Sequence, residues 1–158
     1  MLPKHGTFGD KIDPKNPYVW WFAFHQAKGL PEDLLEGRAY IEQEWFFRYL
    51  LYKEDAIDTR DRAVYAAAYS SRDAIRDGNA WYQAFTQDII DQRAYPAKLT
   101  VPTLGIGGPG YGWLNDFLNR RTTNPKVVFL ADSGHFIAEE APKETTRLLM
   151  DFLGSNSR

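Results

Sequence analysis

Apolar positions in the first two thirds of the chain recur at intervals of three and four residues, the period of helices. From Tyr18 to Ala27 nearly every residue is apolar or aromatic, which predicts a helix buried on most sides. Gly29 ends it, and Pro31 opens the next helix at a first-turn position that needs no N–H, with Glu32 and Asp33 favoured near that N-terminus. Tyr40, Ile41, Trp45, Phe46, Tyr49 and Leu50 keep helical spacing to about Tyr52. Asp58 or Thr59 can cap a further helix carrying Ala63, Val64, Ala67 and Ala68. A short piece over Asp73–Arg76 is expected to break at Gly78, with a separate helix over 79–92 presenting Trp81, Tyr82, Phe85, Ile89 and Ile90.

The pattern then changes. Val101–Ile106 and Lys126–Leu130 read as short buried strands, Trp113–Arg121 and Pro142–Leu153 as helices, and Gly107–Gly112 as a loop too rich in glycine and proline for either. Strand, helix, strand, helix is one parallel unit. The fold class is therefore α/β: a helix-rich region followed by a partial parallel sheet of two strands with helices. Residues 1–100 are expected to hold an N-terminal loop (1–17) and the helical region, residues 101–158 the β-α-β-α part, together one compact unit. Two strands alone do not make a stable parallel sheet, so the sheet is expected to be completed within a larger fold or by another chain. The length of the proline- and glycine-rich opening over 1–17 points the same way.

Composition narrows the function classes. A formal net charge of -2, without a basic run, argues against a nucleic-acid partner. The absence of cysteine excludes disulfides and thiolate metal sites, and no His, Asp and Glu set has zinc-like spacing, so neither metal nor other cofactor is expected. No run approaches membrane-spanning length and Met1–Gly6 has no apolar signal region, which makes the cytoplasm the expected location and a membrane no partner. The aromatic share of 15%, much of it between Tyr18 and Tyr52, suits either plain core or an apolar pocket.

Among the polar residues, His135 stands out. It lies in Asp132-Ser133-Gly134-His135-Phe136, a loop that follows a strand, where an α/β sheet presents its chemistry. It reads either as a catalytic base or as a residue kept for loop hydrogen bonds. Asp132 and Asp116 are candidate orienters for it. His25 reads as a satisfied core histidine, and His5 has no partner at metal spacing. Gly107–Gly112 lacks the Lys-Ser/Thr of a phosphate loop. Glu139-Glu140 is expected to support the N-terminus of the last helix electrostatically.

Four stretches carry a family likeness: Trp20-Trp21-Phe22-Ala23-Phe24-His25-Gln26 with Leu30-Pro31-Glu32; Asn79-Ala80-Trp81-Tyr82-Gln83-Ala84-Phe85; Val101-Pro102-Thr103-Leu104 running to Gly107-Gly108; and Ser133-Gly134-His135-Phe136 with Glu139-Glu140-Ala141-Pro142. In this order they resemble the cap plus C-terminal third of an α/β-hydrolase of the epoxide hydrolase and haloacetate dehalogenase branch, that is, an N-terminally truncated member. The resemblance implies that His135 is the catalytic histidine and Tyr82 the cap tyrosine that donates to an epoxide oxygen or a leaving halide. It implies that Trp21 holds the other cap position, and that Trp20, Trp21, Phe24, Trp81 and Phe136 bind an apolar substrate. An indole N–H can donate but does not give up its proton as a phenol does. Trp20 stands where the dehalogenases have a halide-binding histidine.

The departures from the family pattern matter as much. No Gly-x-Asp/Ser-x-Gly elbow occurs in the 158 residues, and the oxyanion-hole loop is absent too. Where one branch carries the acid after the penultimate strand, this chain has Tyr111; the other branch's acid would lie just ahead of the stretch resembling Leu2-Pro3. Three readings stay open. The chain acts on an apolar small molecule, an epoxide or a cyclising intermediate, by acid–base chemistry without the family's nucleophile. Alternatively it is a non-catalytic half that complements another polypeptide, or a pseudoenzyme that only binds. In each case a homodimer is expected, through the unpaired edge of the 101–106 strand or through exchanged cap helices.

Overall fold

The computed structural model describes residues 20–95 and 97–156. Along them run α1 (Trp20–Gln26), α2 (Leu30–Leu35), α3 (Ala39–Leu50), α4 (Thr59–Ala68), α5 (Arg72–Ala94), β1 (Thr103–Gly107), α6 (Tyr111–Arg121), β2 (Pro125–Phe129), α7 (Ile137–Glu140) and α8 (Pro142–Ser155). The expected loop over 1–17, the helix start at Tyr18, His5 and the Leu2-Pro3 match lie outside the described residues. The described backbone groups into two compact units, residues 20–44 with 59–95 and residues 45–58 with 97–156. Helix α3 thus contributes to both, and residues 45–58 group with the C-terminal segment rather than with their sequence neighbours.

In the first unit α1 and α2 pack on α5 and on each other. Two glycines set the turns between helices: Gly29 at φ 82° and Gly37 at φ 69°, a left-handed conformation that a side chain would strain. Gly37 N–H donates to Ser70 O at 2.9 Å, which ties the α2–α3 turn to the segment just before α5. Ser71 caps α5 by accepting from Ala74 N–H at 3.2 Å. Ala39 and Ile75 are the buried apolar anchors of this unit.

In the second unit β1 and β2 pair in parallel, from Thr103 opposite Pro125 to Gly107 opposite Phe129. The ladder is lengthened at both ends, by the Leu99–Thr122 bridge and by Leu130 N–H donating to Gly107 O at 2.9 Å. Helix α6 packs on both strands. It can lie this close because Gly105 has no side chain: a Cβ there would stand 2.5 Å from Leu118 Cδ1 and 3.3 Å from Leu114 Cδ2. Helix α8 buries Leu148 but leaves Leu149, Met150 and Leu153 exposed.

The architecture is helix-rich with a two-stranded parallel sheet, as the pattern predicts. Three local expectations are corrected. Gly78 does not break the chain: α5 runs unbroken for 23 residues through it, since one interior glycine costs only about 1 kcal/mol against good helix formers on both sides. The helix expected to run from Pro31 to Tyr52 is two, interrupted at Gly37. Residues 137–140 form a short helix of their own, α7, and Glu140 is spent elsewhere than at the N-terminus of α8.

Candidate active site

The loop that follows β2 is fixed by one buried carboxylate. Glu140 Oε1 accepts from Tyr52 N–H at 2.5 Å and Lys53 N–H at 2.9 Å, and Oε2 accepts from Gly134 N–H at 2.7 Å. Its side chain is 6% exposed, so these three donors take the place of water around the charge. Next in the chain, His135 N–H donates to Leu50 O at 2.9 Å, and Ser133 Oγ donates to Leu130 O at 3.1 Å. Strand end, corner and the 50–53 segment are thereby bound into one piece.

Gly134 is required by this closeness, because a Cβ would collide with Leu50 O, Tyr52 N and Glu140 Oε2. Gly108 is required for the same reason, its Cβ position being occupied by the Gly134 and Ser133 carbonyls. The sequence reading missed Glu140. Nothing in its spacing reports the partners, which are donors 87 and 88 positions away; only a pair of acidic residues just ahead of a proline hinted at it.

The corner holds the His135 side chain out to solvent, with its ring edge-on to Phe136 at 5.3 Å. Phe136 in turn packs edge-on against Phe47 at 5.5 Å. The protein around His135 pushes its imidazole pKa below the ordinary value of about 6.5, and Glu140 pulls the other way. Exposure of the side chain keeps that desolvation partial. The direction still favours a neutral ring, the form that can accept a proton.

The cap-type residues lie in the first unit. Trp20, Trp21 and Phe24 come from α1, Trp81 and Tyr82 from α5. Trp20 contacts Trp21 and Phe24, with ring centroids 6.5 and 5.6 Å apart, and Phe22 bridges to Tyr82 and Phe85 at 5.6 and 5.5 Å. The Trp21 indole acts on the Tyr82 phenol as a nearby donor that lowers its pKa. An indole can only donate, so a bond between these two side chains would have the phenol oxygen as acceptor. Desolvation first, and then the Glu42 charge, raise the Tyr82 pKa; the nearby Trp21 donor works against them. The phenol is therefore protonated at neutral pH. Trp81 is 77% exposed. The structure thus joins Trp20, Trp21, Phe24 and Tyr82 in one aromatic cluster, and joins His135 to Phe136 in the corner. Among the described residues no group of three or more His, Asp or Glu side chains is arranged to hold a metal ion.

Comparison with known proteins shows what this geometry resembles. No family model matches the chain. Epoxide hydrolase B of Mycobacterium tuberculosis is 41% identical over 83 residues, covering 48% of this chain and 21% of that protein. The crystal structure of Cfl2 from Burkholderia cenocepacia superposes with a TM-score of 0.82 at 28% identity, over 93% of this chain and 52% of that one. The Cif epoxide hydrolase from Acinetobacter nosocomialis has the same fold, with a TM-score of 0.81 at 20% identity, over 89% of this chain and 47% of that one. The chain has the α/β-hydrolase fold in part and is related to the epoxide hydrolases. It spans about half the length of the solved α/β-hydrolases it matches. The two-stranded sheet is the corresponding share of the larger sheet that such a fold contains.

Proposed function

We propose that this α/β-hydrolase-like chain binds an apolar small molecule and acts on it by acid–base chemistry, with Tyr82 as proton donor and His135 as base. The observation that carries the reading is the aromatic cluster around Tyr82: Phe22 and Phe85 pack on its ring at 5.6 and 5.4 Å, and burial raises its pKa so that the phenol keeps its proton. Trp20, Phe24, Trp81 and Phe136 are the proposed apolar contacts. His135 supports the reading by being held on a rigid loop in the neutral form. The family's covalent route, through an ester on an aspartate, is not part of the proposal, because these 158 residues contain no nucleophile elbow. The proposed setting is the cytoplasm.

The test is turnover of an aryl epoxide such as styrene oxide, with single-turnover trapping for a covalent ester. Turnover that is lost on His135→Ala and on Tyr82→Phe, without trapped ester, is expected. Trapped ester, or turnover indifferent to both substitutions, overturns the proposal.

A second reading has an observation of its own. The chain spans about half of its structural relatives, its sheet has two strands, and Leu149, Met150 and Leu153 on α8 are exposed. This favours a partner: a second copy paired along the β1 edge or through the helices of the first unit, or a separate polypeptide that this half complements without catalysing anything itself. Light scattering at micromolar concentration reads the mass. A dimer supports the first, and a monomer that gains mass and turnover only with a second chain supports the other.

A further inference from the structure

The first unit contains a buried charged cluster that the proposed chemistry does not use. His25, 8% exposed, sits between two acceptors: its Nδ1 is 2.7 Å from Asn79 Oδ1 and its Nε2 is 2.9 Å from Glu42 Oε1. The Glu42 contact is a close ionic pairing rather than an aligned hydrogen bond, as that oxygen has no well-directed donor. With Asn79 oriented so that its carbonyl faces the ring, both ring nitrogens meet acceptors, an arrangement that suits the doubly protonated ring. The face of this imidazole stacks on Tyr82, with centroids 4.9 Å apart and planes 28° apart. The side chains around His25 are Phe24 on α1, Glu32 on α2, Glu42 on α3, and Asn79 and Tyr82 on α5. Glu32 is 5% exposed, and its Oε2 has no hydrogen-bond partner. That leaves a second buried negative charge to be balanced by the ring.

We propose that His25, held as an imidazolium between Glu42 and Asn79, is the positioning residue for the Tyr82 phenol. The ring is the surface against which Tyr82 lies, and its own orientation is set from both ends. Rotation of Tyr82 about its ring axis would leave the hydroxyl where it is; tilting would carry it away from Trp21. A flat cation clamped at both nitrogens opposes the tilt through stacking and cation–π attraction. His25 itself does not reach a ligand, since both nitrogens are engaged. Its influence passes through the phenol.

This inference rests on the reading of Tyr82 as donor, and the experiment separates the two. The Trp21 indole N–H resonance reports on the placement of the neighbouring Tyr82 phenol by NMR whether or not any substrate turns over. It is expected to shift with pH at the same midpoint as the His25 ring. In Glu42→Gln, which keeps the shape but removes the charge, both midpoints are expected to fall together by about one pH unit or more. The basic limb of the kcat profile for styrene oxide should move down with them, while KM changes less than twofold.

A folded His25→Gln protein should lose the Trp21 titration entirely. A Trp21 resonance that ignores the His25 titration overturns the inference. So does a Glu42→Gln protein whose His25 midpoint falls while Trp21 and the kcat profile stay put. Turnover unaffected by Tyr82→Phe defeats the proposed function instead, and leaves the NMR result to decide the positioning role.

Discussion

Glu140 is where the structure makes its most quantitative demand. Replacing it with alanine removes the acceptor from three backbone N–H groups at once. A hydrogen bond to a charged group contributes about 1.5–3 kcal/mol, and a buried donor left unmade costs about 1–3 kcal/mol. The three positions are not equivalent. Gly134 is buried, whereas Tyr52 and Lys53 are exposed residues whose amides water can reach once the carboxylate is gone. One full loss and two partial ones give about 3–5 kcal/mol for Glu140→Ala, less than three times the single-bond figure because the losses share one site. Glu140→Gln keeps one acceptor oxygen, which can serve either the Tyr52–Lys53 pair or Gly134 but not both, and about 2 kcal/mol is expected.

Urea unfolding followed by tryptophan fluorescence measures both values by linear extrapolation. Amide hydrogen exchange at Tyr52, Lys53 and Gly134 localises them, with protection falling at these three amides before the rest of the second unit. If both substitutions cost less than about 0.5 kcal/mol and leave the three amides as protected as before, the carboxylate is not what holds the corner.

Gly134→Ala places a methyl group against two backbone atoms that cannot yield locally, so a loss of about 2–4 kcal/mol is expected in the same unfolding assay, with His135 losing its fixed position. Ile57→Ala truncates a side chain that is 1% exposed and should cost about 2–4 kcal/mol through the lost burial and the cavity; a cost below about 1 kcal/mol would mean that the site collapses freely. The two described histidines should impose opposite pH dependences. Burial disfavours charge on His25, but Glu42, Asn79 and Glu32 together outweigh it and raise its pKa, so the folded state holds this proton more tightly. Its stabilisation is fully present below about pH 6.5 and is lost as pH rises through the folded value. His135 is lowered, so its contribution is present above about pH 6.5 and is lost as pH falls toward the folded value. Histidine ring NMR should show His25 titrating above about 6.5 and His135 below; the reverse order would contradict both pairings.

How much of this was legible beforehand differs from residue to residue. Tyr82 and Trp21 could be paired from the sequence because they sit in motifs whose family use is known. His135 could be placed because an apolar strand precedes it and a turn follows. The continuity of α5 through Gly78 could not be read, since a glycine reports only a local cost while the helix is held by its packing with α1 and α2. Glu140 looked like a helix N-terminal charge because its neighbours in sequence form helices. Its partners are donors far along the chain, and no local pattern encodes them.

By itself, then, the sequence determined the period of most elements, the strand–helix–strand–helix order at the C-terminal end, the place of His135 in the loop after the second strand, and the lack of a nucleophile elbow in these 158 residues. These follow from local rules: side-chain periodicity, turn chemistry, and motif spacing along the chain. Only the tertiary structure decided that Trp45–Asp58 belongs with the C-terminal unit, that Glu140 closes the corner around Gly134, and that His25 lies clamped under Tyr82. Each of these is a contact between groups distant in sequence, selected because a buried charge or N–H must find a partner, and the chain's local pattern does not say which one it finds.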